Sequence, residues 1–114
     1  NNFKKYNFHI VSGSDDKELK YLCKKLKIGK YFQSINGSPI EKNKLVKNVL
    51  LNNEYLIKET ILIGDSINDY IAANENGIDF YGFNNTSLIN ISKQYLRNYE
   101  GFECVNVILP KINT

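Results

Sequence analysis

The sequence predicts an α/β protein, a three-layer sandwich with a mainly parallel sheet, and three observations carry that prediction. Short apolar runs alternate with stretches of helical periodicity along the whole chain, in a repeated strand-helix order. The strongest run, Thr60-Ile61-Leu62-Ile63, is β-branched and apolar on both faces, as a strand covered from two sides requires. The 114 residues are 42% hydrophobic and 24% charged, with seven Gly and two Pro, which supplies one modest core and leaves no room for a second domain. The same composition excludes a disordered or low-complexity chain.

Phe8 to Val11 is a short apolar run closed by Ser12-Gly13-Ser14, and it reads as a buried strand entering a tight turn. Leu19, Leu22, Cys23 and Leu26 recur at helical spacing, with Ser14 or Asp15 as N-cap and Gly29 just past the end. Tyr31 to Ile35 is a second strand candidate, ended by the turn cluster Asn36-Gly37-Ser38-Pro39. Leu45, Val46, Val49 and Leu50 mark a second helix. After Thr60–Ile63 the chain stops at Gly64-Asp65, and Ser66-Ile67-Asn68-Asp69 opens a helix with Ile71, Ala72 and Ala73 facing inward and Gly77 as a left-handed cap. Asp79 to Gly82 is a fourth strand, Leu88, Ile91 and Tyr95 line a fourth helix, and Val105 to Leu109 is a last short strand, with 100–114 prone to fray.

Composition also narrows the partners. Fifteen Lys plus Arg against twelve Asp plus Glu leave a charge of only +3, and Arg97 is the sole arginine, so neither nucleic acid nor a membrane surface is expected. No apolar run approaches the roughly 20 residues of a membrane span, and the N-terminal stretch lacks an apolar signal region, so a cytoplasmic location is expected. The glycosylation triplets at Asn36, Asn84, Asn85 and Asn90 then carry no meaning. Cys23 and Cys104, with a single His9, do not have zinc-ligand spacing.

Parallel α/β sheets place ligands outside the carboxyl ends of their strands, where Ser12 and Asp65 fall. Asp65 ends a buried strand and Asp69 lies four residues on in the first helical turn, so both carboxylates can face one crevice. Paired carboxylates suit Mg2+, a hard cation that takes oxygen ligands and bridges to phosphate. Lys42 offers a point charge to phosphoryl oxygens, while the Ser12 hydroxyl and the backbone N–H groups from Gly13 onward offer hydrogen bonds. Purely structural roles compete with these. Asp65 and Asp69 would each favour a helix dipole, and Lys42 could belong with Lys44 and Lys47 to a solvated face. Ser14 reads as a cap, His9 as structural, Cys23 as packing, and Phe80, Tyr81 and Phe83 as an aromatic core edge more readily than a substrate mouth.

The ordered series of a hydrophobic run with Ser12, then Gly37-Ser38-Pro39-x-x-Lys42, then Ile63-Gly64-Asp65-Ser66-x-x-Asp69 with Ala72-Ala73 and Gly77 beyond, resembles motifs II, III and IV of the haloacid dehalogenase-like hydrolases. The resemblance runs from about Tyr6 to Phe83. It implies a Mg2+-dependent phosphotransfer enzyme, most often a phosphatase acting through an aspartyl-phosphate, with a small phosphorylated metabolite as substrate. By that likeness Ser12 and Gly13 hold a phosphoryl oxygen, Lys42 balances charge, Asp65 binds Mg2+, and Asp69 supports the metal or Lys42.

One motif is missing. The family's DxDGT-like motif I, which supplies the nucleophile, has no counterpart in this sequence, and Asp15-Asp16 follows the Ser12 turn and so is no substitute. Residues 1–114 therefore resemble one α/β domain that is the C-terminal portion of a longer core, inactive by itself. The family's strand between the Ser12 and Asp65 strands is expected to be missing too. The gap would be closed by direct pairing of those strands, by a strand from the missing N-terminal part or another chain, or left exposed. A rival reading is a noncatalytic α/β binding or interaction module that keeps an anion and metal crevice.

Overall fold

The computed structural model describes residues 6–96 and 106–109. The alternation seen in the sequence becomes β1 (Asn7–Asp15), α1 (Asp16–Lys25), β2 (Ser34–Ser38), α2 (Lys42–Asn52), β3 (Thr60–Gly64), α3 (Ile67–Glu75), β4 (Asp79–Phe83), β5 (Gln94–Leu96) and β6 (Asn106–Leu109). All six strands are parallel, in the order β2-β1-β6-β3-β4-β5. Helices flank the sheet, so the α/β layering is as expected. The readings for Arg97, Cys104 and Val105, and the fraying expected of 100–105 and 110–114, lie outside the described residues.

Alternation along each strand divides the core between two faces. Val11, Leu62, Phe80 and Ile108 face α2 and α3, against Leu45, Val46, Val49, Ala72 and Ala73. Ile10 faces the other way, against Leu19 and Cys23 of α1, and farther along the sheet Ile61, Ile63, Tyr81, Leu96 and Val107 form a third cluster. Phe80 and Tyr81 are thus core, as the aromatic-edge reading has it. Every residue of β3 is buried, which its uninterrupted apolar run requires.

Several boundaries differ from expectation, each for a local reason. β1 continues through Ser12-Gly13-Ser14, and the cap of α1 is Asp15, which accepts from the Glu18 amide at 3.1 Å; the Ser14 amide instead donates to Ser12 Oγ at 3.1 Å. Lys27 (φ 57), not Gly29, takes the left-handed position after α1. β2 starts three residues later than predicted and includes Asn36-Gly37-Ser38, because Gly29–Tyr31 is a 3-10 turn. Gly77 does adopt the left-handed conformation, φ 71.

Two larger corrections concern α3 and the segment after β4. Ile71 is 43% exposed. The inward stripe of α3 is Asp69, Ala72 and Ala73, whose small side chains allow close helix-sheet approach. The fourth helix is only a 3-10 segment, Thr86–Ile91, and Tyr95 belongs to β5. Ser92 Oγ ends that segment by donating to Leu88 O at 2.7 Å while accepting from Gly82 N at 3.1 Å.

The gap expected between the Ser12 and Asp65 strands is filled from within. β6 pairs with β1 over Asn7–Ile10 and with β3 over Thr60–Leu62. β1 and β3 are not direct neighbours, and the central place is held by the chain's own last described strand. Local pattern could predict this strand but not its address.

Candidate functional site

At the carboxyl edge of the sheet the register fixes which residues share a level. Ile10 pairs with Leu109 and Leu62 with Ile108, so Ile10 is level with Ile63, and two residues on Ser12 is level with Asp65. Ser12 is buried, Gly13 is exposed, and Asp65 is partly exposed.

The densest chemistry lies around Asp69. Ser66 caps α3 in a reciprocal box: its hydroxyl accepts from the Asp69 amide at 3.3 Å, and Asp69 Oδ2 accepts from the Ser66 amide at 3.2 Å. The same Oδ2 accepts from the Asp65 amide at 3.1 Å and the Ser66 hydroxyl at 3.0 Å. The other oxygen, Oδ1, accepts from Lys42 Nζ at 2.7 Å. The Asp69 side chain is 1% exposed and that of Lys42 22%. A buried carboxylate is tolerable only when its oxygens are this fully engaged.

This ion pair joins residues 27 apart in sequence, through the start of α2 and the first turn of α3. It separates Lys42 from its neighbours Lys44 and Lys47, which are both exposed. Gly64 makes it possible in a way the sequence did not suggest. Its φ is not left-handed; instead a Cβ there would meet Asp69 Oδ2 at 2.6 Å and its Cγ at 2.7 Å. The glycine is needed for close approach rather than for a turn.

Two supporting residues were missed by sequence reasoning. Asn85, the cap of the segment after β4, donates from Nδ2 to the Asp65 carbonyl at 3.1 Å, while its own amide donates to Tyr95 Oη at 2.9 Å. Asp16 Oδ1 accepts from the Gly37 amide at 2.9 Å and so ties the end of β2 to the start of α1. The usable signal was position, since Asn84-Asn85 ends the strand beside the Asp65 strand at the ligand edge. His9, read as structural, is fully buried between Ser34 Oγ and Tyr55 Oη, each 2.6 Å from a ring nitrogen, and burial pushes its pKa below the ordinary value of 6.5. Cys23 is buried in the core under α1, and burial pushes its thiol up, away from nucleophilic reactivity.

The site thus holds a charged lysine, a buried carboxylate that fixes it, a second carboxylate at the strand end, and a serine at the same level. Among the described residues no group of three or more His, Cys, Asp or Glu could by itself enclose a metal. A family model for haloacid dehalogenase-like hydrolases matches residues 2–83. The chain belongs to the haloacid dehalogenase-like hydrolases.

Solved structures carry the same fold. A haloacid dehalogenase-like family hydrolase from Streptococcus pneumoniae aligns over 90% of this chain with a TM-score of 0.69 and 22% identity. A candidate phosphatase from Clostridium difficile aligns over 90% with a TM-score of 0.63 and 20% identity. This haloacid dehalogenase-like chain spans about half of each, 48% and 47% of their lengths. No curated protein sequence matches it significantly. Among its described residues, no helix is long and apolar enough to cross a membrane.

Proposed function

We propose that residues 1–114 form the phosphoryl- and metal-holding part of a Mg2+-dependent phosphatase acting on a small phosphorylated metabolite. The Lys42–Asp69 pair carries this reading, because it holds an ammonium group rigidly beside the Asp65 strand end, at the ligand edge of a parallel sheet. In this reading Ser12 and the Gly13 amide donate to phosphoryl oxygens, and Lys42 offsets charge gathering on the transferring group. Asp69 positions Lys42 and the 65–66 loop. Its oxygens already have four donors, which leaves Asp65 as the side-chain ligand for the metal.

The donor chemistry fits Mg2+, an oxygen-seeking cation that keeps several waters and needs few protein ligands. When bound, Mg2+ supplies positive charge to a phosphoryl oxygen and shares in holding the group for in-line attack. The sequence has no D-x-D and therefore no nucleophilic carboxylate of that kind, so one must come from a segment outside these residues. The chain alone is expected to show no turnover of p-nitrophenyl phosphate. An assembly containing the missing carboxylate should hydrolyse it with Mg2+, and Asp65→Asn or Lys42→Ala should then each cost about 3 kcal/mol of transition-state stabilisation. Turnover by the chain alone that survives Asp65→Asn would overturn the assignment. A noncatalytic anion-binding module is favoured by one observation, that the sequence after the central strand, from Pro110 to Thr114, holds no Asp or Glu; phosphate binding without turnover in the completed assembly would select it.

A further inference from the structure

Positive charge is unevenly spread along this chain. Residues 17–30 hold six lysines, Lys17, Lys20, Lys24, Lys25, Lys27 and Lys30, against one acid, Glu18, an excess of five where the whole chain has +3. The remainder is therefore net negative, and an approaching anion is drawn to α1 and the turn after it. Compensation of the helix dipole accounts for Lys24 and Lys25, which lie in the last turn of α1, but not for the others.

Four of the six, Lys20, Lys24, Lys27 and Lys30, line one cavity of about 390 Å3, whose other lining residues are Cys23, Gly29 and Ile35. It lies between the second half of α1, the Gly29–Tyr31 turn and the edge strand β2. The rim is cationic and the floor apolar. Ile35 packs against Ile10, Leu19 and the buried Cys23, so the floor belongs to the core and is rigid. A Cβ added at Gly29 would stand 3.9 Å from Cys23 Cβ and 4.0 Å from Ile35 Cδ1, so the glycine leaves open the space above them. Two rim lysines are already held, Lys20 by Asp16 at 2.8 Å and Lys30 over the Tyr31 ring, 5.3 Å from its centroid. Lys24 and Lys27 are exposed and have no ion pair among the described residues. Because α1 runs back from the carboxyl edge between two parallel strands, its last turn lies toward the amino edge, away from Ser12 and Asp65.

We propose that this cavity binds a small organic dianion with an aromatic or short aliphatic body. The body rests on Cys23, Gly29 and Ile35, and the two negative charges meet Lys24 and Lys27. Both halves are needed, since exposed lysines hold a bare anion weakly and a floor of three residues gives little affinity to a neutral molecule. The inference does not depend on the phosphatase reading.

The test titrates the isotope-labelled 114-residue chain with naphthyl phosphate without Mg2+, followed by NMR at about pH 8, where the phosphate carries two charges. Amides between Cys23 and Ile35 should shift saturably below the millimolar range, with inorganic phosphate and naphthol each binding about tenfold more weakly or worse. Lys24→Gln combined with Lys27→Gln should weaken naphthyl phosphate about tenfold. Lys44→Gln combined with Lys47→Gln removes the same charge from exposed positions on α2 and should change binding by less than about twofold. Gly29→Ala, whose methyl makes only ordinary contacts, should weaken naphthyl phosphate but not inorganic phosphate. Shifts confined to residues 12–14 and 64–69, equal loss in the two double variants, undiminished binding in Gly29→Ala, or no saturation in the millimolar range would each overturn the site. So would tighter binding to phosphatidylserine vesicles than to naphthyl phosphate, lost in the Lys24 and Lys27 double variant, which would make this face a membrane contact.

Discussion

Helices α1 and α3 begin alike and end up with different work. Each follows a strand at the carboxyl edge, and each carries an aspartate in its first turn whose two oxygens split between a lysine and backbone amides. Asp16 takes Lys20, four residues on along its own helix, and the Gly37 amide. Asp69 takes Lys42 from another helix and the Asp65 and Ser66 amides. The first carboxylate is a third exposed, the second 1%. The lesson is that the motif is not the device. An exposed local pair trims a helix, and the same groups buried across two helices fix the geometry of a site.

Breaking the buried member should have the largest effect. Asp69→Ala is expected to cost about 3–5 kcal/mol in urea unfolding, because it strips the pair and the loop anchors together; a loss under about 1 kcal/mol would put Asp69 on a par with Asp16. Gly64→Ala should rank second at about 1–3 kcal/mol, since the added methyl would overlap the Asp69 side chain. Combined with Asp69→Ala, that penalty should shrink, so additivity in the double variant would show that the obstacle is something else.

His9 tests burial without charge. Its folded pKa is lowered, so the unfolded chain binds more protons below the ordinary 6.5. Stability should therefore fall as pH drops from 6.5 toward the folded value, by up to about 1.4 kcal/mol per pH unit, and His9→Gln should flatten that limb. A wild-type curve flat between pH 6.5 and 5 would contradict the buried-neutral picture. Smallest of all, Asp16→Asn should cost less than about 1 kcal/mol, because the pair it breaks is exposed. The Lys20 hydrogen bond, with the Gly37 amide second, holds the Asp16 carboxyl below its ordinary 3.8. Its contribution is thus present above that value and lost as pH falls through the folded one, which acid titration of the two forms should reveal.

Much of the site was legible because it is local. Ile63-Gly64-Asp65 and the Ser66–Asp69 box lie in one short stretch, and their strand-turn-helix context comes from hydrophobic pattern and capping chemistry. The inward face of α2 was equally plain, since Leu45, Val46, Val49 and Leu50 are the residues it buries. Ile71 was misread because Ile67 and Ile71 form an apolar stripe of their own, which loses to the small Ala72-Ala73 face where the sheet must come close. The segment after β4 was misread because the chain after Ser92 joins the sheet, with the Lys93 amide donating to Phe80 O at 2.9 Å and Gln94–Leu96 pairing with β4, so Tyr95 serves a strand rather than a helix. Asn85 and the reason for Gly64 depend on contacts across the fold, and the place of β6 depends on strand order, for which local periodicity has no signal.

The position of β6 also has a consequence for synthesis. In synthesis β1 to β5 are all made before β6, so β1 and β3 are joined as they are here only once Leu109 has emerged. Until then β1 and β3 each present an unpaired, apolar parallel edge to solvent or to a chaperone. A nascent chain stalled after Leu96 would lack the strand that covers both edges, and slow passage through the codons for 97–109 would lengthen the time during which a neighbouring polypeptide could add to them.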